Sequence, residues 1–270
     1  MGPRRQTPTG GALSHGAPLR GIEIEPPGTY RPQYRLRWAG LVRAMDRFPR
    51  LKARLAGMVR GVLQKVFDPG MVTTERVVEY PFLYQHLAGV DGPVLDIGCV
   101  HSGLPIALAS RGYRVVGLDF LPYPYRHPNL QVVRGDAMRC PFAPWTFGAV
   151  VAISVIEHVG IGCYGDPAAG DGDRGAAHEI ARLLRPGGRA IITVPFGRAR
   201  TDEHLRVYDG PRLRHLLEPL LPAYIEYARS QEGLWSPCAE AEAAAVDWQG
   251  TDRAVALVVA SAPGEPGGRA

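Results

Sequence analysis

Lysine is almost missing from this 270-residue chain: of its 31 basic residues only Lys52 and Lys65 are lysine, and the rest are arginine. Together with 33 glycines and 25 prolines, that bias reads as coding composition. Arginine content by itself is therefore no sign of a nucleic-acid partner. Cysteine is scarce as well. Cys99, Cys140, Cys163 and Cys238 fall at no metal-ligand spacing and are too few to staple a chain of this length, which argues against a metal site or a disulfide scaffold. No apolar run reaches the roughly 18 residues of a membrane span, and no signal peptide is recognisable, so a reduced, cytoplasmic setting is expected.

Charge is unevenly spread. Residues 1–70 carry 13 basic and 4 acidic side chains, a net of +9 within a whole-chain +5, which leaves −4 for the remainder. Residues 1–34, with Gly10-Gly11, Pro26-Pro27 and no apolar periodicity, read as a disordered basic tail. Across 35–70, Trp38, Leu41, Val42, Met45 and Phe48 recur at helical spacing, as do Leu51, Leu55, Met58, Val59, Val62, Leu63 and Val66 past Pro49. This predicts an extension of two amphipathic helices. Their basic residues leave three roles open: a solvated face packed on the core, a lid, or peripheral contact with an anionic membrane through residues 36–67.

Residues 71–262 form the main domain, followed by a flexible tail at 263–270. A helix is expected from Thr73 or Thr74 toward Leu87, with Pro81 inside it. Strands are expected at 93–97, 114–118, 130–134, 148–154, 189–194, 223–230 and 252–260, and helices at 104–111, 175–184 and 210–219. The last two strands would be joined without a helix by 231–251. This order predicts an α/β fold with a Rossmann-like, doubly wound, mostly parallel sheet and an antiparallel last strand.

Two stretches carry the chemistry. Val94-Leu95-Asp96-Ile97-Gly98 is an apolar strand delivering an acid and a glycine to a tight turn, and Val115-Val116-Gly117-Leu118-Asp119 ends a second strand in a carboxylate suited to two ribose hydroxyls. A pyrophosphate site would need Gly-x-Gly-x-x-Gly, whereas position 100 is Val and Asp96 adds a negative charge. A nucleoside with a cationic, amino-bearing arm suits the site better.

These motifs, with Gly135-Asp136-Ala137 closing a third strand, Phe147 to His158 as a fourth strand ending in Glu-His, and Leu184-Arg185-Pro186-Gly187-Gly188 before a fifth, resemble class I S-adenosylmethionine-dependent methyltransferases of the type 11 kind. The resemblance implies S-adenosyl-L-methionine as cofactor. Asp96 and Gly98 would line its methionine arm, Asp119 would hold the ribose, and Asp136 with Ala137 would face the adenine. Cys99, Ser102, Phe120 and Ser154 complete the expected cofactor set, Cys99 as a small residue packed under the loop. The family's usual second and third glycines fall on Val100 and Ser102, with Gly103 one place late. Either the loop takes another path, Gly103 supplying conformational freedom and Pro105 opening the helix, or the domain has lost cofactor affinity and catalysis.

Methyl transfer from a sulfonium is an in-line displacement, for which the protein positions the acceptor and removes any hydroxyl proton. No metal is required. His158 is the expected base, with Glu157 orienting it or bracing a helix end, or the pair only supports the cofactor loop. The glycine-rich loop 160–167, with Tyr164 and Asp166, and the alternating His204, Arg206 and Tyr208 are expected to meet a small-molecule acceptor. A hydroxyl of a sugar, glycan precursor or secondary metabolite is the expected acceptor. Nucleic-acid base amines are disfavoured, because Ser154-Val155-Ile156-Glu157 stands where such enzymes carry an Asn- or Asp-Pro-Pro-aromatic motif. An RNA substrate tracked by residues 1–67 and a non-catalytic scaffold remain the other readings, and the oligomeric state is left open.

Overall fold

A computed structural model describes residues 74–164, 168–249 and 251–263. The expected basic tail, the amphipathic extension with its membrane contact, Asp166 and the tail from 264 onward lie outside the described residues.

The chain first runs through α1 (Arg76–Leu87), β1 (Val94–Ile97), α2 (Leu104–Ser110), β2 (Val115–Asp119), β3 (Leu130–Arg134) and β4 (Phe147–Ile153). It continues through α3 (Gly172–Leu183), β5 (Leu184–Pro195), a small pair β6 (Arg200–Thr201) and β7 (Arg206–Val207), and α4 (Gly210–Leu216). Last come β8 (Leu221–Gln231), β9 (Leu234–Cys238), α5 (Glu240–Ala244) and β10 (Arg253–Ser261). Eight strands share one sheet in the order β3-β2-β1-β4-β5-β10-β8-β9. The first five are parallel, and β10, β8 and β9 run antiparallel to their neighbours.

The burial pattern explains the sheet. All of β4 is buried, and such unbroken apolar runs suit parallel strands covered on both faces. Alternate residues then serve opposite faces: Ala149, Val151 and Ile153 pack with Leu83, Leu87, Leu104 and Leu108 under α1 and α2. Val150 and Ala152 pack with Ile180, Leu183, Leu213 and Leu216 under α3 and α4. In α3 the buried Ala176, Ala177, Ile180 and Leu183 recur at helical spacing, which fixes the face it presents to the sheet.

Three local expectations change. Strand β5 begins at Leu184, so Pro186-Gly187-Gly188 is an irregularity inside the strand rather than a turn before it, with Leu184 opposite Phe147 and Arg189 opposite Ala149. The segment 231–251 holds β9 and α5, because Leu234 to Cys238 pairs with β8 at the sheet edge. The N-cap of α1 is Glu75, with no side-chain cap; Thr74 contributes its carbonyl, which accepts from the Val77 N–H.

Gly148 marks the tightest approach. Its N–H donates to the Pro93 carbonyl at 2.9 Å, and a Cβ there would overlap the carbonyl oxygen of Asp91. A backbone atom cannot rotate away, so Gly148→Ala is expected to destabilise the fold by about 2 kcal/mol. Thermal unfolding should register a drop of several degrees; an unchanged midpoint would contradict this packing.

Candidate functional site

The chain leaves β1 toward β2 and β3, and leaves β4 toward β5, so the strand order reverses between β1 and β4. In open α/β sheets that is where ligands bind, outside the carboxyl ends of the strands. A cleft of about 320 Å³ opens there, lined among others by Asp96, Gly98, Asp119, Ala137, Ser154 and His158.

Gly98 begins the floor. Its φ is +73°, its N–H donates to the Leu118 carbonyl at 2.8 Å, and a Cβ would overlap the Val155 side chain. Within the loop 98–103 the positive φ falls on Gly98, so the β-branched Val100 carries no left-handed strain. Gly103 has φ −84° and is the N-cap of α2; the freedom it was expected to supply is not used. Instead the Ser102 hydroxyl accepts from the Leu104 N–H at 2.9 Å, and Pro105 stands in the first turn. The loop takes its own path and still closes.

Asp119 knits this loop to the next strand. Its two oxygens accept from the N–H groups of Val100 and Leu121, each at 2.9 Å. An ionised carboxylate has about four acceptor positions, so two backbone donors leave capacity for a diol.

Asp96 is different. It is 2% exposed, and its Oδ2 has no hydrogen-bond partner. Burial pushes its pKa up to about 8, with Arg76 opposing and Asp119 adding to the rise. A buried carboxylate oxygen without a donor, at the wall of a cleft, is a receptor for a cationic donor such as an ammonium group. The residues present therefore fit a nucleoside with an amino-bearing arm.

Beneath the cleft lies a network that sequence reasoning missed. Glu79 of α1 is fully buried and accepts from the hydroxyls of Ser154 and Thr193, both at 2.6 Å, while Arg76 pairs with its other oxygen. Arg76 also reaches the Ile153 carbonyl at 3.3 Å. This network holds Ser154, which lines the cleft with φ +49°, an unusual value for a residue with a side chain. One signal was available: Glu79 shares a helical face with Phe82 and Leu83, an acid within an apolar stripe.

At the other end stand Glu157 and His158, in a short 3₁₀ turn after β4. Glu157 is buried, its Oε2 has no hydrogen-bond partner, and burial holds its carboxyl well above the usual range. The Nδ1 of His158 lies 2.5 Å from the His204 carbonyl oxygen. A carbonyl only accepts, so Nδ1 carries the proton and the basic lone pair falls on Nε2. Tyr164 meets the His158 ring edge-on, with centroids 5.4 Å apart. Also at this end are Trp248 and Arg253, which no sequence motif marks.

Several expected contacts lie elsewhere. The Cys99 side chain is buried against Gly117 and does not line the cleft. Asp136 accepts from the Met138 N–H at 2.8 Å as a turn acid, while its neighbours Gly135 and Ala137 line the cleft; Phe120 lines it too. Arg206 and Tyr208 do not reach it. Arg206 is buried and donates to the Val159 carbonyl at 2.7 Å and the Glu157 carbonyl at 3.4 Å, beside Asp173 at 3.8 Å. Tyr208 donates to Asp173 at 2.9 Å. Arg206 is turned inward because the carbonyls of the loop after β4 need donors that water cannot supply, and Tyr208 because its hydroxyl serves the buried Asp173 carboxyl. The His204 side chain is 74% exposed and outside the cleft; its carbonyl is what reaches the site.

An open sheet with parallel β1 to β5, antiparallel strands beyond, an Asp-x-Gly floor and an acid ending β2 defines the class: a Rossmann-like methyltransferase domain. Residues 95–192 match the methyltransferase domain family, and through this domain the chain is similar to the class I S-adenosylmethionine-dependent methyltransferases. It is 38% identical over 102 residues to a demethylmenaquinone methyltransferase of Corynebacterium kroppenstedtii, covering 37% of this chain and 40% of that protein. It is 38% identical over 140 residues to a 2-phytyl-1,4-naphtoquinone methyltransferase of Thermosynechococcus vestitus, covering 45% of this chain and 56% of that one. The chain thus spans about half the length of these curated relatives. The Burkholderia thailandensis 1,6-didemethyltoxoflavin-N1-methyltransferase, solved with bound 1,6-didemethyltoxoflavin and S-adenosylhomocysteine, shares the fold at TM-score 0.50 and 17% identity over 78% of this chain and 90% of that one. Among the described residues no helix is long and apolar enough to cross a membrane.

The raised pKa values make stability depend on pH. Unfolded, Asp96 loses its proton near pH 4; folded, it keeps it until about pH 8. In that window the folded state binds more protons, so stability falls as pH rises. The buried Glu79 and Glu157, also raised, act in the same direction. Ligand-free protein is therefore expected to melt lower at pH 8 than at pH 5. Asp96→Asn should flatten that slope and stabilise the protein at pH 8 by on the order of 2 kcal/mol. Melting curves at the two pH values check this, and an identical slope in wild type and variant would contradict it.

Proposed function

We propose that the protein transfers a methyl group from S-adenosyl-L-methionine to a hydroxyl of a small, ring-bearing acceptor. The observation that carries this reading is the buried, unpartnered oxygen of Asp96 beside Asp119 at the sheet's switch point. Asp96 would take the cofactor's ammonium, Asp119 its ribose hydroxyls, and Gly135 with Ala137 the edge of its adenine. When bound, the cofactor supplies an electrophilic methyl group on a sulfonium.

The protein's own part is to position the acceptor and move a proton. His158, with Nδ1 committed to the His204 carbonyl, would receive the acceptor's hydroxyl proton at Nε2. Tyr164 and His158 form an aromatic wall at this end, and the relatives act, by their names, on naphthoquinone-type molecules. Both points favour a phenol- or quinol-like ring over the sugar that the sequence also allowed.

Calorimetric titration with S-adenosylmethionine and S-adenosylhomocysteine is the first test, and Asp96→Asn should weaken both by about tenfold or more. His158→Ala should leave those affinities intact and lower methylation of an accepted phenol, sought among hydroquinone, catechol and 4-hydroxybenzoate, by about a hundredfold. No binding of either cofactor form would sink the reading. Near-wild-type turnover by His158→Ala would remove the histidine as the base.

A further inference from the structure

Two buried carboxyl groups and one guanidinium meet on the α1 face of the sheet. Strand residues alternate between faces, so Asp96 shares the side of Val94, which packs with Leu83 and Leu87 of α1. Glu79 comes to that side from α1, where it accepts from the Ser154 and Thr193 hydroxyls. Arg76, three residues earlier in α1, lines the cleft as Asp96 does. Its Nη1 donates to Glu79 and, at 3.3 Å, to the Ile153 carbonyl. Val151 lies opposite Asp96 in the neighbouring strand and Ile153 is two residues further along, so strand geometry puts that carbonyl roughly 8 Å from Asp96. The tip of an arginine side chain spans such a gap by changing rotamers.

The cation is shared unevenly. Glu79 takes it, while Asp96, just as deeply buried, keeps one oxygen without a hydrogen-bond partner. The Arg76 charge is nevertheless felt at Asp96, where it opposes the rise in pKa that burial causes. Left to choose, an arginine should satisfy the bare acid, since an unpaired buried acceptor is costly and a charge-assisted bond to it is strong. What withholds Arg76 is the way Glu79 is anchored. Both hydroxyls donate to its Oε1, at 2.6 Å each, which leaves Oε2 aimed at Arg76.

We infer that Glu79 is a positioning residue for the cofactor: by holding Arg76 it reserves the unpartnered oxygen of Asp96 for the ammonium group of a ligand. The inference rests on the methyl-transfer reading, in which Asp96 takes the amino group of the methionine arm. Glu79 touches no ligand in this arrangement and acts through Arg76. A released Arg76 would occupy Asp96 itself and set a like charge where the ammonium arrives. One carboxyl thus shapes the floor through Ser154 and Thr193 and keeps the receptor acid vacant. Glu79→Gln separates the two tasks, because an amide oxygen still accepts from both hydroxyls while the amide no longer holds a cation.

Titration calorimetry can compare S-adenosylhomocysteine, which carries the amino-acid arm, with 5′-methylthioadenosine, which has the nucleoside and the sulfur but no ammonium. Wild type should bind S-adenosylhomocysteine about tenfold more tightly, the scale of a hydrogen bond between charged groups. Glu79→Gln should erase that advantage by weakening S-adenosylhomocysteine about tenfold, with 5′-methylthioadenosine affinity unchanged. Adding Arg76→Gln to it should restore S-adenosylhomocysteine binding, although the double change disturbs the network more; a purely structural role for Glu79 gives the reverse. Arg76→Gln alone leaves Glu79 its two hydroxyl partners and, with its pKa already raised by burial, a proton to carry. That variant should bind S-adenosylhomocysteine at least as tightly as wild type, which tests the same point if Glu79→Gln does not fold. Unchanged S-adenosylhomocysteine affinity or equal loss of both ligands in Glu79→Gln, no recovery in the double variant, or weaker S-adenosylhomocysteine binding by Arg76→Gln overturns the inference. A wild type that binds the two ligands equally overturns it too, by removing Asp96 as the ammonium receptor, and leaves methyl transfer standing. Failure of wild type to bind S-adenosylhomocysteine overturns both.

Discussion

Removing a carboxylate from water without giving it a partner is among the costlier things a fold can do. Asp96 is in that position at the end of β1, with neighbours of the sheet on both sides and one oxygen unsatisfied. A structural acid would have been matched with a donor, as Asp119 is by two backbone N–H groups. The cost is tolerable in the free protein because the proton stays on, burial having raised the pKa to about 8. A cationic ligand would displace that proton and supply the missing donor. Ligand binding and protonation are thus alternative ways of satisfying one group, which ties stability, pH and function to the same atom.

Around that group the fold is fastened from a distance in sequence. Glu79 lies on the helix before β1, yet it bonds Ser154 at the end of β4 and Thr193 in β5. Three elements meet on one carboxylate directly beneath the cleft. Ser154 holds a left-handed backbone there because its hydroxyl bonds Glu79 and its N–H donates to Thr193 Oγ1 at 2.9 Å. The floor of the cleft is consequently a product of α1 as much as of the strand motifs.

Much of this was legible in the sequence, for physical reasons that differ by region. Buried parallel strands read as unbroken apolar runs, and strand-end acids stand out against them, so β1 to β5 and the placing of Asp96, Gly98 and Asp119 followed from pattern alone. β9 was not legible: Leu234-Trp235-Ser236-Pro237-Cys238 has a proline and no clean alternation, and only pairing with β8 makes it a strand. The loop at Val100 was legible only as a choice between another path and lost affinity. Residue identity does not give backbone angles, and the structure takes the other path by concentrating the loop's positive φ at Gly98. Trp248 could not be placed from its surroundings in the chain, since its meaning lies in Phe196 and Gly197, about fifty residues earlier.

The arginines show most clearly where sequence stops and structure begins. Arg206, Arg253 and Arg76 are indistinguishable as letters in an arginine-rich chain, and each has a different task. Arg206 is buried and gathers carbonyl oxygens on both sides of the loop that follows β4, Glu157 and Val159 on one side, and on the other Ala169 at 3.5 Å and Gly170 at 3.4 Å. That loop carries His158 and Tyr164, so their approach to the cleft is set by a residue that never touches it. Arg76 offsets Glu79 and Asp96 at the cofactor end. Arg253 lies over the Trp248 ring, 5.0 Å from its centre, and donates to the Asp252 carbonyl at 2.8 Å, so its place is set by an aromatic face as well as by the backbone.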